Sequence, residues 1–183
     1  MISTAGKVVR AIPDLQIKVG EIVMSIRSKI GIALALAAAT VVVPASAQNY
    51  NLRPNYGTVN LRTGYARDPH VVRVRSGGNI DASRISSRCR GFISNAPDVR
   101  LNFVAGSSLP LIISAASRAD TTLVINGPDG RWYCDDDGGR FGMNPSVRFN
   151  NVRSGRYEIW VGTYGRRGAY HPAQLHISEL YSQ

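Results

Sequence analysis

Thr121-Thr122-Leu123-Val124-Ile125, then Asn126-Gly127-Pro128-Asp129-Gly130, then Arg131-Trp132-Tyr133-Cys134, is the stretch that decides the fold. The first run is β-branched and apolar, which suits a strand. The second is built of turn formers: Pro fixes φ, Asp accepts local N–H bonds, and Gly takes positive φ. The third returns as the other arm of a hairpin.

Working outward, the same grammar repeats. Arg156 to Tyr164 reads as the best strand, with Tyr157, Ile159 and Val161 alternating against Arg156, Glu158 and Trp160. Val99 to Phe103 alternates cleanly, and Leu109 to Ala115 is apolar enough to be buried on both faces. Shorter runs fall at Gly57–Arg62, His70–Arg75, Arg90–Ser94, Ser146–Phe149 and Gln174–Ser178. No segment past Gln48 keeps a helical period, and no repeat recurs at a fixed spacing. Many short strands separated by turn signals describe a sandwich or a barrel.

Upstream the chain changes character. Met24-Ser25-Ile26-Arg27-Ser28-Lys29, an apolar run from Ile30 to Val43, and Ala45-Ser46-Ala47 have the order of a helical secretory signal peptide, residues 24–47, cleaved before Gln48. The apolar run is 14 residues long, short of the ~20 that a spanning helix needs. No Cys follows the cleavage site, so a lipid anchor there is not expected, nor is a membrane span after cleavage. Residues 1–23 read as an extension ahead of a misassigned start, because the codons of Gly20-Glu21 give a purine run just before Met24.

The exported region, residues 48–183, is long enough for one domain with a real core. It holds 17 Arg, no Lys and 10 acidic residues, a net charge of +7. The Arg residues are scattered and form no nucleic-acid module, so nucleic acid is not the expected partner. Anionic surfaces outside the membrane fit better; a solvated arginine surface is the plain alternative. Cys89 and Cys134 are the two cysteines. An even pair in an oxidising compartment reads as one disulfide, closing about 45 residues and contributing ~4 kcal/mol in the chain-entropy model.

Three blocks carry a family likeness: Asp120-Thr121-Thr122-Leu123-Val124-Ile125, Pro128-Asp129-Gly130 with Asp136-Asp137, and Ser154-Gly155-Arg156-Tyr157-Glu158-Ile159-Trp160-Val161. Together they resemble the bacterial pre-peptidase C-terminal domain, related to clostridial collagen-binding domains. With Trp132-Tyr133-Cys134-Asp135-Asp136-Asp137, the chain also looks like small stand-alone exported proteins of alphaproteobacteria. The resemblance implies a jelly-roll-like antiparallel β-sandwich, of about eight or nine strands as counted here. It also implies a binding or accessory role without catalysis, and some relatives bind calcium. Family members usually sit beside a secreted protease domain, which this sequence does not contain.

Candidate chemistry follows. Asp135, Asp136 and Asp137 repel one another unless a cation or Arg neutralises them, and with Asp129 they are candidate calcium ligands. The competing reading is a turn whose Asp side chains accept backbone N–H groups and pair with Arg131 or Arg140. Thr163 to Pro172 reads as a long hairpin tip. Its Tyr164, Arg166, Arg167 and Tyr170, with Trp160 on the adjoining strand, are candidate ligand-binding residues for a polysaccharide or a protein. Core packing is the alternative for Trp160. Catalysis has thin support. His70, His171 and His176 could serve a Ser nucleophile with Asp68 as orienting acid, but no nucleophile elbow surrounds any Ser. The sequence therefore reads as an exported, non-catalytic binding or accessory domain of the periplasm or the extracellular space. A structural envelope protein without a discrete ligand is the alternative, and a secreted hydrolase a third reading.

Overall fold

The alternation becomes two facing sheets. The computed structural model describes residues 49–106 and 108–183, all within the compact unit Ser46–Gln183. The leader and the extension ahead of it lie outside the described residues. Eleven strands follow in order: β1 Thr58–Arg62, β2 His70–Gly77, β3 Ile80–Asp81, β4 Phe92–Ile93, β5 Val99–Val104, β6 Leu111–Ser117, β7 Thr121–Asn126, β8 Trp132–Asp135, β9 Ser146–Phe149, β10 Gly155–Thr163 and β11 Tyr170–Ser178. A 3-10 turn at Ala82–Arg84 is the single helical element among the described residues.

The larger sheet is built around β10. One edge of β10 pairs with β5 and, further along, with β4; the other pairs with β7, which carries β8. The smaller sheet runs β2-β11-β6-β9 and is antiparallel throughout. The chain is thus the all-β sandwich expected. One pair departs from the antiparallel rule: β1 lies parallel to β5, Thr58 opposite Arg100 through Arg62 opposite Val104. The chain leaves β1 for the smaller sheet at β2 and re-enters the larger one before β5, so both strands point the same way.

Period-two geometry sorts the side chains. Leu101, Phe103, Leu123, Ile125, Tyr157, Ile159 and Val161 meet Leu111, Ile113, Phe149, Leu175 and Ile177 of the other sheet. Phe149 bridges Tyr133 and Tyr157 edge-on, at ring centroid distances of 4.8 and 5.3 Å. The larger sheet buries its outer face as well. Val124 and Trp160 point away from the sandwich and are covered by Ala82, Cys89 and Ile93, a second core. Sequence assigned Trp160 to a polar face; it is fully buried because the segment through β3 and β4 folds over it.

Two strand boundaries also move. β6 starts at Leu111, after Pro110, which has no N–H to give a ladder, and it continues to Ser117. β11 starts at Tyr170 and takes in Pro172, so it is longer than its apolar run suggested. The turn glycines behave as read. Gly130 has φ +73°, and at Gly155, φ +142°, a Cβ would stand 2.6 Å from Pro128.

All four connections from strand ends Gly77, Ser117, Asp135 and Thr163 cross between the sheets at one end of the sandwich. The segment Tyr164–Ala169 is therefore an arch between sheets rather than a hairpin tip, since β10 and β11 belong to different sheets.

Candidate functional site

That end gathers loops on a rigid frame, the usual setting for a binding surface. The Tyr164–Ala169 arch is pinned at both sides. Tyr164 N–H donates to the Asp120 carbonyl at 3.1 Å, and Gly168 N–H to the Gly78 carbonyl at 2.9 Å. Ala169 N–H closes the arch on the Arg166 carbonyl. Tyr164, Arg166 and Arg167 stand exposed on it and Tyr170 at its foot, and neither of these guanidinium groups has a carboxylate partner among the described residues. Trp160 does not join them. It packs against Trp132 at 5.5 Å under the disulfide-bearing segment.

Asn144 organises the neighbouring loops, and nothing in the sequence singles it out. Its Oδ1 accepts from Ser117 N–H at 2.9 Å and from Thr121 Oγ1 at 3.1 Å. Its Nδ2 donates to the carbonyls of Phe141 and Ser117. Four bonds from one buried side chain hold the loop after β8 against the ends of β6 and β7. Exposed Met143 is brought beside this surface, since its carbonyl accepts Thr121 N–H.

The acidic residues do not converge. Asp129 sits in the β7–β8 turn, where it accepts from Tyr133 Oη at 2.7 Å and Arg131 N–H at 3.1 Å. Asp135 lies at the far end of β8 and accepts from Gly138 N–H and Ser146 N–H. The length of β8 separates them, and no group of three or more His, Cys, Asp or Glu side chains among the described residues is placed to hold a metal ion. Asp129 and Asp135 cap the turn and the loop at the two ends of β8. Asp136 and Asp137 stay near Asp120, whose carboxyl is held above the usual range by burial and by those two charges.

The triad geometry is absent too. Asp68 accepts from Ser178 Oγ and Glu179 N–H, not from an imidazole. His176 is buried with neither ring nitrogen hydrogen-bonded, and desolvation holds its pKa below the usual imidazole range.

Two buried carboxylates escaped the sequence reading. Asp98 accepts from Val161 N–H at 2.8 Å and from Asn55 Nδ2 at 3.1 Å, where β10 passes from β5 to β4. Burial pushes it up to about 7, against those bonds. Glu158 lies opposite Arg100 and also meets Arg156 Nε at 3.0 Å. Arg100 reaches on to the carbonyls of Tyr50 and Leu52, which fastens the leading segment to the larger sheet.

Cys89 and Cys134 are joined, with Cα atoms 5.1 Å apart and a sequence separation of 45. The fold and its loop surface thus define a disulfide-clamped all-β sandwich that presents aromatic and cationic side chains at one end. The chain is 33% identical over 115 residues to an uncharacterised protein of Synechococcus elongatus, spanning 58% of this chain and 81% of that one. It belongs to the family of that cyanobacterial protein. No family model matches the chain. Among solved structures it is similar to Aeromonas hydrophila PliG, a periplasmic lysozyme inhibitor of g-type lysozyme. There the identity is 14% and the TM-score 0.33, over 66% of this chain and 96% of that one. That likeness is too distant to transfer a function. No helix among the described residues is long and apolar enough to cross a membrane.

Proposed function

We propose that the chain is an exported, non-catalytic binding protein that engages the acidic surface of a protein partner through the Tyr164–Ala169 arch. One observation carries the reading. Two aromatic and two guanidinium side chains stand exposed on or at the foot of a backbone pinned by three hydrogen bonds, and neither guanidinium is ion-paired with a carboxylate among the described residues. Tyr and Arg are favoured where interfaces draw their energy, and a fixed loop loses little entropy on docking. Export is supported by the leader and by the disulfide, which persists in oxidising compartments. The resemblance to pre-peptidase C-terminal domains supports an accessory role.

The test is capture from the exported protein fraction on immobilised wild type, compared with Tyr164→Ala/Tyr170→Ala and Arg166→Ala/Arg167→Ala. A defined set of proteins should be retained by the wild type and lost from both variants, with retention weakening as salt rises. Equal capture by all three would reject the arch as the binding surface. Selective retention on peptidoglycan or another polysaccharide would reject a protein partner.

A further inference from the structure

A groove of about 750 Å³ lies against the outer face of the smaller sheet, at the same end as the arch. Its floor crosses three strands: Arg73, Gln174 and Ala116 stand directly opposite one another on β2, β11 and β6. His171, Pro172, Arg118 and Phe141 also line it. Most of this lining is hydrocarbon. Phe141 is 58% exposed, although it is a large apolar ring. Arg73 and Arg118 are exposed, and neither has an ion-pair partner among the described residues. No Asp or Glu lines the groove.

We propose that this groove receives an acidic, apolar-containing peptide segment of the partner, with carboxylates on Arg73 and Arg118 and an apolar side chain against Phe141 and Ala116. Charge complementarity selects the acid: two free guanidiniums without an internal carboxylate make an anion the ligand that satisfies the site. The groove's span across three strands suits a run of several residues. Continuity selects a peptide over a small acid. Pro172 and His171 lead directly to Tyr170 at the foot of the arch, and the Tyr170 carbonyl accepts from Arg75 Nη2 beside the groove. One chain bound at the arch can extend into it. The inference rests on the reading of the arch for its class of occupant, a protein.

The experiment titrates a dye-labelled hexapeptide alternating Glu with Leu and Phe, followed by fluorescence anisotropy. Controls replace each Glu by Gln or by Lys. Saturable binding of the acidic peptide alone is expected, with affinity falling at least tenfold in Arg73→Ala/Arg118→Ala and severalfold in Phe141→Ala. Circular dichroism and thermal melting confirm that the variants fold; Arg73→Lys serves as a second variant that keeps the charge and part of the binding. No binding of the acidic peptide, equal binding of the Gln peptide, or an unchanged affinity in the double Arg variant would each overturn the proposal. The arch is scored separately. If partner capture still depends on Tyr164 and Arg166 while the peptide fails to bind, the groove inference falls alone. If the peptide binds through Arg73 while the arch variants capture normally, the reading of the arch falls.

Discussion

Asp98 shows how one buried side chain can set the acid–base behaviour of a fold. It completes the ladder at Val161 N–H, in the gap left where β10 changes partner. Its carboxyl rises from 3.8 to about 7, chiefly through burial. The unfolded chain ionises near the ordinary value while the folded one holds its proton. The contribution to stability is therefore full below about pH 4 and fades as pH rises towards 7, a change on the order of a few kcal/mol. Asp98→Asn, which cannot titrate, should flatten that slope; urea midpoints at about pH 4.5 and 7.5 measure it. His176 acts with the opposite sign. Burial lowers its pKa, so its neutral form suits the fold above about pH 6.5 and stability is lost as pH falls below that value. His176→Leu should remove this acid-side loss in the same melts without altering the Asp98 slope. Trp160→Ala should cost about 3–5 kcal/mol, as for a large ring removed from a closed core, rather than leaving stability unchanged as an exposed contact residue would.

At the scale of elements, the outer layer over the larger sheet depends on a covalent clamp. The segment holding β3, the 3-10 turn and β4 contributes few ladder bonds, two register pairs between β3 and β4 and one between β4 and β10. Its hold on Trp160 comes from Ala82, Ile93 and the Cys89–Cys134 bridge. Reduction, or Cys89→Ser/Cys134→Ser, should lower stability by about 4 kcal/mol. It should also shift tryptophan emission to longer wavelength as Trp160 meets water; an unshifted spectrum would mean that the layer stays closed by packing alone. This layer marks the limit of what the sequence revealed. The strands from Val99 onward were legible because alternation and turn residues report locally. β3 and β4, two residues each, carry no period of their own, and Trp160 looked like the polar-face partner of Arg156 and Glu158 because a sequence does not show what covers a face. Of the expected contact residues, those on the arch were legible as loop chemistry, while Asn144, Arg73 and Arg118 acquire meaning only through the register between strands distant in sequence. Of the two readings of the acidic run, the turn reading is the one whose bonds are visible at Asp129 and Asp135. The four-residue strand β8 holds Asp129, in the turn before it, apart from Asp135 at its far end.

At the scale of the whole molecule, the order of strands in space inverts their order in the chain. β10 is the axis of the larger sheet and β11 lies between β2 and β6 in the smaller one. A chain ending at Ser154 therefore has neither axis, and its remaining strands can form only the β1–β5, β3–β4, β6–β9 and β7–β8 pairs. Isolated pairs of this kind are marginal in water. Truncation after Ser154 should abolish the cooperative melt and leave a disordered circular dichroism spectrum, whereas removing residues 49–56 should weaken the fold without abolishing it. The same wiring bears on biogenesis. Because both central strands follow nine others in the chain, the sandwich cannot close during synthesis until β10 and β11 have left the ribosome.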